Sequence, residues 1–250
     1  MYDPPLYLWI IILAGVIAFP AATCFVLYTG AMRAGLGRRG AALLTGAAAA
    51  VLGSWFTASA VIADHGWYRM RLGHGVPWLP VATMGFLFLL LALRRIPVVT
   101  RALTAPGLAS RLELPHSFRV AGVAMLLTMA LGHLPALFAL PAGIGDIATG
   151  IAAPLVARKL AQGTGRRAAL WLNAFGMADL VLAVALGAIT GFKLVNVSPS
   201  AAALSSLPLA LIPTAGVPLL FALHLVSVSA LRKAPRAARP AAAPLASTAA

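Results

Sequence analysis

Seven apolar segments occupy most of the chain, and each meets or approaches the roughly 20 residues that a helix needs to cross a bilayer's ~30 Å hydrocarbon core. They cover residues 6–28, 41–63, 77–93, 117–133, 135–157, 168–190 and 207–231. Only 10% of the residues are charged, and the mean hydropathy is +0.94, whereas soluble domains carry about 25% charged residues. We therefore predict an all-α fold, a polytopic transmembrane bundle of seven helices in residues 1–231.

The basic residues between these segments predict the orientation of the bundle. Of the 19 Lys and Arg residues, 16 fall on one side when successive connections alternate, and three, Arg69, Arg71 and Lys193, fall on the other. The positive-inside rule then places the amino terminus outside and the carboxyl terminus in the cytoplasm of a bacterial inner membrane. The first residues lack the positive leader of a signal peptide, so we expect the first helix to be retained.

Two other stretches are predicted to lie outside the bilayer. Residues 96–115 contain three prolines and three charged residues, which favours a cytoplasmic or interfacial loop. Residues 232–250 are rich in Ala, Pro and Arg, which is typical of a disordered tail, here a cytoplasmic one. The net charge of +14 is not taken as a nucleic-acid-binding signal, because the basic residues lie in short segments between apolar runs.

Asp146 and Asp179 are two of only five acidic residues, and both lie in the middle of apolar segments. A charged side chain at the bilayer centre costs on the order of 2.5–3.5 kcal/mol, so such a residue indicates a functional site. Each lies 11 residues from the inner end of its segment, about 16 Å at 1.5 Å per residue. The short connection at 158–167 makes these helices antiparallel neighbours, so we predict a matched pair near the midplane.

Small and polar residues surround the two acids. Gly143, Asp146 and Gly150 share one helix face, the spacing that allows close helix approach in membranes. Candidate proton-binding or substrate-binding residues are therefore Asp146, Asp179, Asn173, Thr149, Gly143, Gly150 and Gly176.

No Lys or Arg lies in the middle of a predicted span, which favours a protonated acid or a pair of acids that share a proton. Such a pair would suit a proton-coupled transporter of a small molecule or an ion. The alternative is a structural or assembly protein, in which a hydrogen bond worth about 1 kcal/mol locks two helices together.

Histidines leave a third function open, a haem or quinone redox module. His65 and His133 are predicted near the outer face, and His116 and His224 towards the inner face, an arrangement that could hold two bis-histidine haems. Asp64, His65 and His74 could also form an outer metal site. The seventh segment contains no lysine, so a retinal Schiff base is not expected.

No phosphate loop, catalytic triad or zinc-protease motif is present, so no enzyme class is indicated. The segment from Leu134 to Gly150, with its Pro-Ala-Gly-Ile-Gly-Asp sequence at 141–146, resembles uncharacterised bacterial multi-pass membrane proteins, as does the segment from Asn173 to Asp179. This resemblance implies a bacterial membrane protein and carries no activity with it. The expected partners are the lipid bilayer and a small molecule or ion, without nucleic acid.

Overall fold

The computed structural model describes residues 3–70 and 75–233, and within these ranges the chain forms helices and turns without a strand. The α-helices are α1 (Leu6–Arg33), α2 (Gly37–Asp64), α3 (Trp78–Leu93), α4 (Pro97–Leu103), α5 (Ala109–Leu112), α6 (Val123–Ala130), α7 (Ala136–Ala161), α8 (Arg166–Gly191) and α9 (Val217–Lys233). Two 3₁₀ segments (Leu114–Gly122, Ala201–Ser205) and a π-helical turn (Ile212–Gly216) complete the described elements. The predicted all-α class is confirmed.

Five of these helical segments are long and apolar enough to cross a membrane: α1, α2, α7, α8, and the π turn together with α9. A sixth is present if α3 and α4 form one broken span, with a bend of 89° between them. The third predicted span corresponds to α3, which has only 16 residues. Since an α-helix rises 1.5 Å per residue, α3 is roughly 24 Å long.

The fourth predicted span, residues 117–133, is a composite of two helix types. It begins earlier, at Leu114, as nine residues of 3₁₀-helix, and it continues as the eight residues of α6. At about 2.0 Å per 3₁₀ residue and 1.5 Å per α residue, the composite is roughly 30 Å long. A segment of only 17 residues therefore reaches the thickness of a hydrocarbon core.

The prediction of a loop at 96–115 is wrong in part, because the segment contains the short helices α4 and α5, which pack against α1 and against α7 and α9 respectively. Ala102, Leu108 and Leu112 are fully buried. A Cβ on Gly30 would overlap the Ala102 carbonyl, so the glycine permits the contact between α1 and α4. The charged residues that favoured a loop, Arg101, Arg111 and Glu113, alternate with these apolar residues in the sequence. The short helices direct the apolar side chains towards the bundle.

The seventh predicted span, residues 207–231, is irregular in its first half. The π turn at Ile212–Gly216 contains Pro213, and its carbonyls accept hydrogen bonds from side chains of other helices. Trp55 Nε1 donates to the Thr214 carbonyl at 2.9 Å, and Thr83 Oγ1 donates to the Pro213 carbonyl at 2.9 Å. Irregular backbone is tolerated at membrane depth where protein groups satisfy it in this way.

The two ends of the bundle differ: arginines cap helix carbonyls at one end, here called the basic end, and two tryptophan rings pair at the other, the aromatic end. At one end, Arg101 donates to the Ala34 carbonyl and Arg166 donates to the Leu231 carbonyl, which fastens α4 to α1 and α8 to α9. At the other end, the Trp67 and Trp78 rings lie 6.2 Å apart. The predicted tail from residue 234 onwards lies outside the described residues.

Candidate functional site

Arg119 joins the two predicted acids. Its Nε donates to Asp146 Oδ1 at 2.6 Å, and its Nη2 donates to Asp179 Oδ2 at 2.5 Å. The sequence-based interpretation that no cation lies at the depth of these acids is therefore wrong. The pair predicted from spacing is a three-residue ion cluster with one positive and two negative side chains.

The composite fourth segment explains why Arg119 reaches this depth. Because the segment begins at Leu114 and rises about 2.0 Å per residue, the Arg119 backbone lies roughly 10 Å inside its start. The long side chain then carries the guanidinium further along the bundle. In a 3₁₀-helix, residues three apart lie on one face, and His116, Arg119 and Gly122 form the buried face of this segment.

Both acids lie near the middle of their helices, as the spacing predicted. Asp146 is roughly 15 Å from the start of α7, and Asp179 is roughly 18 Å from the end of α8. A Cβ on Gly145 would overlap the Asp179 carboxyl, and one on Gly122 would overlap the Asp146 side chain. These two glycines, which the sequence did not single out, make room for the acids.

The third guanidinium nitrogen extends the cluster to α9. Arg119 Nη1 donates to the Gly176 carbonyl at 3.4 Å and contacts His224 Nε2 at 3.2 Å. A Cβ on Gly176 would overlap the His224 ring. The predicted candidate Gly176 therefore lies in the site through its carbonyl and its lack of a side chain.

Hydrogen bonds around Asn173 define the tautomer of His224. Asn173 Nδ2 donates to Glu113 Oε1 at 2.8 Å, so its Oδ1 is the atom that faces His224 Nδ1, also at 2.8 Å. An amide oxygen only accepts, so His224 Nδ1 carries the proton. Its Nε2 then has no proton and accepts a hydrogen bond from Arg119 through its lone pair. His224 is therefore a neutral imidazole in this arrangement.

Glu113 and Ser227 complete the network, and the sequence analysis missed both. Ser227 Oγ donates to Glu113 Oε1 at 2.5 Å, and both side chains are fully buried. Their separation of 114 residues in sequence leaves no local pattern to find. Asn173, a predicted candidate, bonds to Glu113 and His224 and to neither aspartate.

Gly143 and Gly150, two further candidates on α7, let α6 and the 3₁₀ segment pack closely against that helix. A Cβ on Gly150 would lie 2.6 Å from the Val120 backbone nitrogen, and one on Gly143 would lie 2.7 Å from a Leu126 methyl. Thr149 is fully buried, and its hydroxyl has no hydrogen-bond partner among the described residues. It does not bond to Asp146.

The histidine candidates occupy different environments. The His116 and His224 rings stack face to face, with centroids 3.7 Å apart and planes at 9°, which leaves no room for a haem iron between them. His65 Nδ1 bonds to the Val61 carbonyl of its own helix, and His133 is exposed in the turn after α6.

No cluster of three His, Cys, Asp or Glu side chains suited to a metal occurs in residues 3–70 and 75–233. His74, proposed with Asp64 and His65 for an outer metal site, lies outside the described residues.

Together, the fold and this buried network define a class: an all-helical protein with the long apolar helices of an integral membrane protein and an ion cluster inside the bundle. Residues 76–232 match the family described as domain of unknown function (DUF8737), and the chain belongs to that family. The match confirms the uncharacterised family predicted from the central segment. No curated protein and no solved structure matches the chain.

Proposed function

We propose that this protein is a proton-coupled transporter of a small molecule or an ion, and that the Asp146–Arg119–Asp179 cluster carries the proton. The observation that supports this most directly is that two carboxyl groups share one buried guanidinium. One arginine balances one carboxylate. With both acids ionised, the cluster keeps one uncompensated negative charge in a medium of low dielectric constant, which is costly. A proton on one acid removes that charge.

Asp146 is the better candidate for the exchangeable proton. Its side chain is 19% exposed, against 7% for Asp179 and 0% for Arg119. Asp146 also lines a cavity that extends to Met70 and Phe192 at the aromatic end of the bundle. The proton that exchanges is therefore assigned to Asp146, and Asp179 remains ionised beside Arg119.

The hydrogen-bond network continues from the cluster towards the basic end of the bundle. It passes from Arg119 to His224, then to Asn173, and ends at Glu113 and Ser227. Chains of acids, histidines and other polar groups inside membrane bundles mark proton paths in pumps and transporters. These hydrogen bonds extend from the Asp146–Arg119–Asp179 cluster on the side opposite the cavity, and they supply polar groups along which a proton could move.

A structural lock is the second candidate function, and the reach of Arg119 favours it. The guanidinium binds side chains or carbonyls of α7, α8 and α9 from the 3₁₀ segment. One residue therefore ties four elements together. In this case the cluster would hold the same charges throughout the physiological pH range and would fix the helix packing.

Carboxyl titration separates the two functions. Infrared absorption of protonated carboxyl groups, recorded against pH in lipid nanodiscs, should show one titrating group that is absent from both Asp146→Asn and Asp179→Asn. Each substitution leaves one carboxylate for one arginine, so neither variant needs the extra proton. Spectra are read as wild type minus variant, so that other carboxyl groups cancel.

Asp64→Asn is the matched control, because Asp64 is exposed at the end of α2, and it should keep the cluster's titration. If the wild type and both cluster variants give the same carboxyl titration, the acids do not exchange a proton, and the structural lock stands.

We also propose seven crossings with the amino terminus outside and the carboxyl terminus inside, in a bacterial inner membrane. Two features support this topology. The 3₁₀ segment and α6 together are long enough for a crossing, and basic side chains at 101 and 166 lie at the end of the bundle assigned to the cytoplasm.

Cysteine labelling tests this orientation in a Cys24→Ser background, since Cys24 is the only cysteine. Asn196 and Gln162 are exposed in turns at opposite ends of α8. Asn196→Cys should react with a membrane-impermeant maleimide in intact cells, whereas Gln162→Cys should react only after permeabilisation. The reverse pattern would invert the topology.

A further inference from the structure

The cavity that ends at Asp146 has an almost entirely apolar wall. Its volume is about 80 Å³, and 17 of the 19 described residues that line it are apolar or glycine; Thr83 and Asp146 are the exceptions. Methionines 70, 84 and 125 and phenylalanines 138 and 192 supply the larger side chains. The Thr83 hydroxyl donates its proton in a hydrogen bond shared between the Leu79 and Pro213 carbonyls. Among the described residues that line this space, Asp146 is thus the only ionisable one.

One oxygen of Asp146 is available to a ligand. Oδ1 accepts from Arg119 Nε, and no hydrogen bond to Oδ2 is found among the residues that the structure describes. When both acids are ionised, the side chains of Arg119, Asp146 and Asp179 have a total charge of minus one. The neighbouring His224 is neutral and does not balance it. The cavity is therefore lined by one carboxylate, whose cluster has an uncompensated negative charge, and otherwise by almost entirely apolar walls.

This combination favours an organic cation over a metal ion. A hard cation such as Ca²⁺ needs six to eight oxygen ligands, and Asp146 is the one carboxylate among the described residues that line the cavity. An alkylammonium ion needs one hydrogen-bond acceptor and an apolar surface. Aromatic faces attract cations, and methionines adapt to apolar groups of varied shape. Phe138, Phe192 and the three methionines supply such a surface.

We propose that the cavity binds a small alkylammonium ion, with the ammonium group on the Asp146 carboxylate and the alkyl group against the apolar wall. This inference rests on the proposed function, since the ammonium ion and the proton compete for the same carboxylate. Binding of the cation releases the Asp146 proton to water, so the cluster keeps a total charge of zero in both states. The substrate class of the proposed transporter is then a hydrophobic amine exchanged for a proton.

The test compares tert-butylammonium chloride with tert-butanol, which has a similar shape and no charge. Thermal unfolding of the detergent-purified protein is recorded with each compound at pH 8, with NaCl at equal ionic strength as the reference. A ligand that binds the folded state raises the Tm in a concentration-dependent way. We expect the ammonium salt to raise the Tm and tert-butanol to leave it unchanged. Equal shifts with both compounds would overturn the proposal.

Two variants show whether the Tm response comes from this cavity. Asp146→Asn removes the charge-assisted hydrogen bond and should weaken ammonium binding at least about tenfold. Ala183→Leu fills the cavity wall and should also abolish the Tm response, whereas Ala185→Leu, the same change on the exposed face of α8, should not. A full response in Asp146→Asn or in Ala183→Leu would place the ammonium ion elsewhere.

Failure of this proposal can be told apart from failure of the proposed function. The carboxyl titration of Asp146 and Asp179 is measured without amine, and we expect Ala183→Leu to retain it. A wild type that titrates but does not respond to tert-butylammonium would refute the amine site and leave the proton carrier intact. A wild type without the titration would refute the carrier, whatever the amine does.

Discussion

Arg119→Met is expected to destabilise the protein by about 3–5 kcal/mol, the cost of removing one partner from a buried ion pair. The guanidinium is fully buried and donates to both Asp146 and Asp179. Methionine fills much of the same volume, so the loss comes from the charges rather than from a large cavity. The free energy of unfolding, measured by SDS titration in mixed micelles, checks this value.

Arg95→Met is the matched control, because Arg95 is exposed at the end of α3. It should change the unfolding free energy by no more than about 0.5 kcal/mol. Adding Asp146→Leu and Asp179→Leu to Arg119→Met should recover most of the lost stability, since charge-free replacements of buried ion networks are often neutral. A cost below about 1 kcal/mol for Arg119→Met alone would contradict the central place of Arg119 in the fold.

The depth of the two acids could be predicted from the sequence because helix geometry converts residue number into distance. Asp146 and Asp179 lie in regular α-helices joined by a short connection, so a rise of 1.5 Å per residue placed both near mid-length. The same calculation missed Arg119, which was counted among the inner basic residues. Its segment begins three residues earlier than predicted and is wound as a 3₁₀-helix, and neither property has a distinct hydrophobic signature.

The polar network beyond the acids depends on contacts between residues distant in sequence. Glu113 meets Ser227 across 114 residues, and Arg119 meets His224 across 105. Each residue taken alone is a single polar side chain near a helix end or within an apolar run. Which of these residues face each other depends on how each helix is rotated about its own axis. A helix that is apolar on several faces has no single face that must point inward, so its sequence does not define this rotation.

The close approach of another element at Gly143 and Gly150 could be predicted from the sequence. The spacing of Gly143, Asp146 and Gly150 indicated a thin helix face suited to close approach, and in the structure the 3₁₀ segment occupies this face. The sequence did not show that the segment packed against this face would contain Arg119, the residue that binds both acids. A thin face on α7 brings the backbone of the 3₁₀ segment close enough for Arg119 to reach across to both acids.

Gly150→Ala is therefore expected to damage the ion cluster without touching any charged residue. The added Cβ would lie 2.6 Å from the Val120 backbone nitrogen and 3.2 Å from the Arg119 carbonyl carbon. Backbone atoms cannot rotate away as a side chain can, so the 3₁₀ segment has to move off α7. Overpacking of this kind costs about 1–3 kcal/mol, and the displacement also lengthens the contacts from Arg119 to the acids.

Gly53→Ala supplies the matched control, since Gly53 lies in the interior of α2 and an added Cβ there meets nothing within 4 Å. Alanine is the better helix former, by up to about 1 kcal/mol, so Gly53→Ala should leave the protein as stable as the wild type or more stable. Unfolding free energies of both variants, together with the carboxyl titration of Gly150→Ala, give the comparison. Equal stability of the two variants would mean that α7 and the 3₁₀ segment are not in close contact, and Arg119 would then lose the position from which it reaches both acids.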